Sequence, residues 1–382
     1  MRFNDFITKL KMRFLESKGE VLSLNFDDMI LSEGDAAKAI EHGDLQINDN
    51  DLIVDSDFLL SSNIAVAEKY KIVEEFARNN NVRHLKMTEA GAISHAAINS
   101  GFLKEDKIYA SASCKVVAPY FENDFIVLPS DSRVFQIGDS IDMIFIKVST
   151  DLLADADPER LAFKVIEKID ELNLKQMRLG SSFALLDQES YKTLDFAQRV
   201  RFFSILNSVN LLGFESADFE ISRHACTGIS KKLEVHELLI ENLDDVCLKF
   251  DKVVPENSII AEEIDRVFLG GCAGGDFETL KEIAELTKGK TLRKNLELIV
   301  TPSDFAAYKK ASESGVLTEL SKAGFTIAAP SCASCKGNHS GILAKDEKVL
   351  SMFPLAEPGR MGDPSAEVYR CSVKNILKKI MQ

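Results

Sequence analysis

Short apolar runs bounded by Gly, Pro and Asp alternate along this chain with longer stretches whose apolar residues recur at helical spacing. This is the pattern of an α/β protein built from strand–helix units. The cycle is clearest in the last third. Asp265–Leu269 (DRVFL) predicts a strand, 270–275 a glycine-rich loop, and Phe277–Lys288 a helix. Leu296–Val300 (LELIV) predicts the next strand, and Pro302-Ser303-Asp304 caps a helix running to about Lys322, which Gly324 ends. Thr326–Ala329 predicts a third strand, and the loop PSCASCKGNHSG follows it. Upstream, Ile64–Asn79 and Pro158–Leu172 read as amphipathic helices, the second started by Asp157-Pro158. Ser149–Asp157 and Leu243–Glu263 are candidate linkers, without the Gly/Pro/Ser bias of a flexible tether. Residues 1–150, 151–260 and 261–382 follow as approximate domains.

A length of 382 residues suits two or three domains. The 45% hydrophobic and 28% charged residues are the balance of a soluble globular protein. A formal net charge of -14 repels phosphate backbones and anionic lipid, which disfavours nucleic acid as a partner. A local cluster of Arg and backbone N–H groups still admits a small anion. No stretch approaches the roughly 20 apolar residues that span a bilayer. The amphipathic, charged start MRFNDFITKLKMRFLESKGE lacks the apolar core of a secretory signal, so a cytoplasmic protein with no membrane contact is expected. Seven cysteines, at 114, 226, 247, 272, 332, 335 and 371, then argue for thiols or metal ligands over a disulfide framework.

Three of those cysteines carry the candidate chemistry. Cys272 sits just past one predicted strand, and Cys332 with Cys335 just past another. Ligands of open α/β sheets collect beyond the carboxyl ends of strands. The Gly-Gly-Cys-Ala-Gly-Gly setting of Cys272 lets backbone approach a bulky inorganic group. Three thiolates suit an iron–sulfur cluster with one iron left open as a Lewis acid. Spacing alone equally admits a zinc site completed by His339, a redox pair, or buried thiols.

The stretch FLGGCAGGDFETL resembles the first cluster-cysteine signature of the aconitase and 3-isopropylmalate dehydratase (isopropylmalate isomerase) large-subunit family. The run AGFTIAAPSCASCKGNHSGILAKDEKVLSMFPLAEPGRMGDPSAEVYRCS is similar to the second, where paired cysteines precede Gly-Arg-Met-Gly and Ala-Glu-Val-Tyr. GAISHAAINSGFLKEDKIYASAS is similar to the segment with Gly-Ile-x-His and Asp-Ser-His-Thr, which extends the likeness thinly over nearly the whole chain. The resemblance implies aconitase-like three-layer α/β/α domains around a central cluster site. It implies no swivel domain in this chain, and hence a separate small swivel-domain subunit as partner. It further implies a [4Fe-4S] cluster on Cys272, Cys332 and Cys335. The reaction implied is the dehydration and rehydration of a small hydroxy-polycarboxylic acid.

Residue by residue, His95 falls on the family's histidine, Ser113 on the serine of Asp-Ser-His-Thr, and Asp55 on the aspartate of an early Asp-His pair. These three are the candidate catalytic groups. Arg360 falls on the second substrate-clamping arginine. The departures are Ser56 for the paired histidine, Ala112-Ser113-Cys114-Lys115 for Asp-Ser-His-Thr, Leu355 for the first arginine, and Ala273-Gly274 for Thr-Asn. Losing acid/base groups while keeping the thiols leaves a second class open: a catalytically lapsed cluster protein that senses iron or oxidants or supports an assembly. A third, RNA binding in an iron-free form, is opposed by the acidic balance.

Overall fold

The computed structural model describes residues 6–8, 22–43, 47–55, 61–86, 102–104, 107–112, 126–130, 132–153, 157–172, 174, 177, 180–216, 232–337 and 341–382. His95, Ser113, Cys114 and His339 lie outside the described residues. The chain forms two compact units, one from Met1–Asp28 and Lys104–Asp244, the other from Met29–Leu103 and Asp245–Gln382.

The first unit is built on a parallel sheet ordered Leu212–Ser216, Ser182–Asp187, Ser140–Val148, Lys232–Ile240. Its central strand SFALLD is buried on both faces, as an apolar run in a parallel sheet requires. Phe183 and Phe214 stack there with Phe6. The helix Pro158–Glu171 starts where the sequence predicts, with Asp157 accepting the Arg160 N–H at 3.0 Å and Pro158 in its first turn.

The second unit holds a seven-stranded sheet ordered Lys252–Pro255, Val246–Lys249, Glu367–Arg370, Lys348–Ser351, Arg266–Gly270, Glu297–Thr301, Thr326–Ile327. The last five run parallel. A smaller parallel set, Asp28–Ser32, Leu52–Val54 and Arg83–Leu85, belongs largely to the same unit. Val267, Leu269, Val300 and Leu350 of the larger sheet are fully buried against Leu280, Ile283, Leu320 and Ile376 of its helices. Asp276 and Ser372 cap Phe277–Thr287 and Val373–Ile380 through side-chain oxygens.

The structure corrects three expectations. The helix expected to run to Lys322 is two, Phe305–Glu313 and Val316–Ala323, because Gly315 adopts a left-handed φ of 81° and turns the chain. The candidate linker Leu243–Glu263 carries two strands, Val246–Lys249 and Lys252–Pro255, that extend the sheet. Cys247 and Cys371, read as thiols, form a disulfide across 124 residues in the buried core.

Candidate active site

The five parallel strands of the second unit bring their carboxyl ends to one edge, and the candidate cysteines follow two of those ends. After Arg266–Gly270 the chain turns through Gly270 and Gly271, at φ 85° and 82°. The Gly271 N–H donates to the Thr301 carbonyl at 2.7 Å, and the Ser303 N–H to the Gly275 carbonyl at 2.8 Å. A Cβ on Gly275 would stand 2.3 Å from the Thr301 oxygen and 2.6 Å from the Ser303 nitrogen. Only glycine lets this loop close on the neighbouring strand, leaving Cys272 half-buried at its turn.

Cys332 precedes a single 3-10 turn, Ala333–Lys336, and Cys335 lies within it. The Cys335 N–H donates to the Cys332 carbonyl at 3.1 Å, and Ser331 Oγ accepts the Ala333 N–H at 3.0 Å. Ala333 is held at φ 49°, a left-handed conformation that a Cβ disfavours. Cys332 and Cys335 are buried, and none of the three cysteines is in a disulfide. Gly337 follows at φ 66°, where a Cβ would lie 3.0 Å from the Arg360 carbonyl, so the cysteine loop lies against the Gly-Arg-Met-Gly segment. Arg360 is partly buried, with Nε 3.7 Å from a Glu357 carboxylate oxygen.

Arg370, at the end of its strand, carries no signal in the sequence beyond its place after Ala-Glu-Val-Tyr. It is buried, donating to the Pro354 carbonyl and, at 2.7 Å, to the Phe250 carbonyl. Burial pushes its guanidinium down to about 10, against the opposing pull of Glu357, Asp251 and Cys335.

A second group sits on the smaller parallel set. Glu33, Asp55 and Lys86 each follow directly on a strand, after Ser32, Val54 and Leu85. Asp55 Oδ1 meets His84 Nε2 at 2.6 Å, with both side chains almost wholly buried. Glu33, Asp55 and His84 present ligand-type atoms that all lie within 4.8 Å of one another. Burial pushes the Asp55 carboxyl up, but the hydrogen bond and charge of His84, with Lys86 and Glu33, outweigh it and hold the group below the usual aspartate range. Lys336, next to Cys335, donates to Ser32 Oγ at 2.9 Å and stands 3.5 Å from Asp35 Oδ2. One side chain therefore joins the cysteine loop to the helix turn that carries Glu33.

Of the candidates drawn from the sequence, Cys272, Cys332 and Cys335 stand past the carboxyl edge of one sheet, with Arg360 on the adjoining segment. Asp55 lies in the second group. His84, Glu33, Lys336 and Arg370 were not singled out, because their partners are far away in sequence. In the other unit, Asp142, Glu234 and His236 form a further half-exposed cluster within 4.8 Å on adjacent strands. Burial and the neighbouring Glu234 charge raise the Asp142 carboxyl.

A sequence model of the aconitase family (aconitate hydratase) matches residues 222–375. A 3-isopropylmalate dehydratase large subunit of Caldanaerobacter subterraneus is 25% identical across 93% of this chain and 90% of its own length. The likeness is that of a distant relative of the aconitase family, concentrated in residues 222–375. Higher identity is local. The 3-isopropylmalate dehydratase large subunit 1 of Methanopyrus kandleri reaches 38% over 122 residues, 32% of this chain and 29% of that protein. The 2,3-dimethylmalate dehydratase large subunit of Eubacterium barkeri reaches 38% over 31% of this chain and 30% of that protein. The solved structure of Thermococcus kodakaraensis aconitase X in its holo form superposes with a TM-score of 0.51 and 13% identity, covering 92% of this chain and 89% of that one. The chain thus has the mixed α/β fold with parallel sheets expected for it. Among the described residues no helix is long and apolar enough to cross a membrane.

Proposed function

We propose that this chain is a hydro-lyase of the aconitase and isopropylmalate dehydratase type, acting on a small hydroxy-polycarboxylic acid, isopropylmalate-like or citrate-like. It works in the cytoplasm with a separate small swivel-domain subunit. Cys272, Cys332 and Cys335 are the residues that would hold a [4Fe-4S] cluster. The observation that carries this reading is the pair of glycine-shaped loops at one sheet edge. There a Cβ at Gly275 has no room, and three cysteines lie outside any disulfide. These donors fit a cluster of sulfur-ligated iron.

When bound, such a cluster supplies a Lewis acid for a substrate hydroxyl. The protein's own groups supply the rest. Arg360 stands where its guanidinium can pair with a substrate carboxylate in place of Glu357. Dehydration removes a proton beside one carboxylate and protonates the hydroxyl leaving the neighbouring carbon. Asp55 is the described candidate for that proton handling, and His95 and Ser113 are the others.

The test is anaerobic purification with iron, sulfide and zinc analysis and a visible spectrum, beside Cys332→Ser. About four irons and four sulfides per chain, lost in the variant, are expected. Stoichiometric zinc, or no metal after reconstitution, overturns the cluster. The loaded protein with its small subunit then dehydrates such acids, and Arg360→Ala raises KM.

One observation favours a second reading. Leu355, in place of the family's first clamping arginine, is an uncharged side chain 2% exposed within the core. A catalytically lapsed cluster protein, serving as an iron or redox sensor or an assembly subunit, accommodates that loss. It is distinguished by a change of oligomer or partner on cluster loss, with no turnover of any acid tested.

A further inference from the structure

The sheet of the first unit carries a polar group that no sequence motif singles out. Lys232, Glu234 and His236 alternate along the edge strand Lys232–Ile240, so their side chains share one face. The parallel register sets Glu234 opposite Asp142, and His236 opposite Ile144, on the strand Ser140–Val148. Further along, that face is apolar, with Ile144, Ile146, Leu238 and Ile240 all buried. Asp142, Glu234 and His236 therefore sit at the amino-terminal rim of an apolar face, where their ligand-type atoms all lie within 4.8 Å of one another.

Two independent observations point to a cation there. Like charges directly opposite on paired strands destabilise a sheet, and burial adds to that cost at Asp142, whose carboxyl both effects raise. Lys232 is exposed and forms its ion pair with Glu234, while Asp142 is influenced by its neighbours through charge alone, with no hydrogen bond to them. The second observation is the imidazole. His236 Nε2 is buried and has no hydrogen-bond partner among the described residues, although two carboxylates stand close by. A buried polar atom left in that state costs free energy, and a neutral imidazole nitrogen is a metal ligand. Ligand atoms about 2.1 Å from one ion stand roughly 3–4 Å apart, so the three need draw in by only about 1 Å. Glu234, with a side chain 40% exposed, has the room to rotate.

We propose that Asp142, Glu234 and His236 bind one divalent first-row transition ion, manganese or zinc, with water filling the positions that the protein leaves open. Two carboxylate oxygens and one imidazole nitrogen, without a thiolate, are the donor set such ions accept. The ligands come from two adjacent strands, so the bound ion clamps the edge strand Lys232–Ile240 to its neighbour and stabilises the folded unit. Lys232 is the ion's competitor for Glu234. The site stands apart from the three cysteines and from the dehydratase reading.

The test titrates the full chain, stripped of metal by a chelator, with Mn2+, and reads the free ion from its electron paramagnetic resonance signal. One Mn2+ per chain is expected, displaced by Zn2+. Asp142→Asn and His236→Ala should each weaken binding about 10-fold or more, and Lys232→Met should tighten it. Cys332→Ser and Asp55→Asn should leave it unchanged. Mn2+ should raise the Tm of the wild type and not that of Asp142→Asn. That variant keeps the side chain's shape and removes one of two opposed charges, so it decides the matter should His236→Ala not fold. No binding at about millimolar Mn2+ overturns the proposal, as does wild-type affinity in Asp142→Asn or His236→Ala. Loss of binding in Cys332→Ser or Asp55→Asn also overturns it, because the ion then sits elsewhere.

Discussion

Gly275→Ala is the sharpest perturbation the site offers. The added methyl would stand 2.3 Å from the Thr301 carbonyl oxygen, 2.6 Å from the Ser303 nitrogen and 2.8 Å from the Gly271 oxygen. All three are backbone atoms, so no side chain can swing aside. Restoring ordinary contact needs a displacement of about 1 Å, which stretches the Ser303 N–H bond to Gly275 and the Gly271 N–H bond to Thr301. Overpacking of this kind costs about 1–3 kcal/mol, and each weakened backbone bond up to about 1 kcal/mol more. A loss near 3 kcal/mol is expected. Gly289→Ala is the control. It has φ 68° and nothing within 4 Å of a new Cβ, so it bears only the left-handed backbone cost of about 1–2 kcal/mol. Urea unfolding of the apo proteins, followed by circular dichroism, measures both. Iron retention after gel filtration of the reconstituted proteins shows whether the displaced loop still presents Cys272. A Gly275→Ala variant as stable as Gly289→Ala, with full iron, refutes the reasoning.

Arg370→Lys replaces a fork bonded to two carbonyls with a single ammonium. At least one carbonyl is left unsatisfied, and a loss of about 1–3 kcal/mol by urea unfolding is expected, with faster iron release to a chelator. Reducing the Cys247–Cys371 disulfide frees a loop of 124 residues and is expected to lower stability by up to about 4 kcal/mol, read as a drop in Tm with dithiothreitol that Cys247→Ser/Cys371→Ser reproduces without reductant. Asp55 is held below its ordinary value in the folded chain. Its contribution is therefore complete above the unfolded carboxylate range near pH 4 and is lost as pH falls through the folded value. Urea midpoints collected downward from pH 5 should fall less steeply in Asp55→Asn than in the wild type, and parallel curves contradict the assignment.

Much of the local structure was legible in the sequence because its causes are local. The helix Ile64–Asn79 has the bounds its periodicity predicts, and the strands around Val267 and Leu298 lie within one residue of their apolar runs. Asp276 caps a helix because its oxygen reaches an amide three residues on. Gly315 was passed over because a single glycine inside a helical period is commonly tolerated, and only its left-handed φ breaks the helix. Leu243–Glu263 looked like a linker because short edge strands carry little periodicity.

The sequence by itself determined that three cysteines follow two predicted strands, the first of them in a Gly-Gly-Cys-Ala-Gly-Gly loop. Strand ends, turn glycines and caps depend on neighbours a few residues away. Only the tertiary structure decided that residues 29–103 fold with residues 245–382. It also brings His84 to Asp55 and Lys336 to Ser32, and sets Arg370 on the Pro354 and Phe250 carbonyls. Those meetings follow from strand pairing and core burial across up to about 300 residues. No period or motif along the chain encodes distances of that kind.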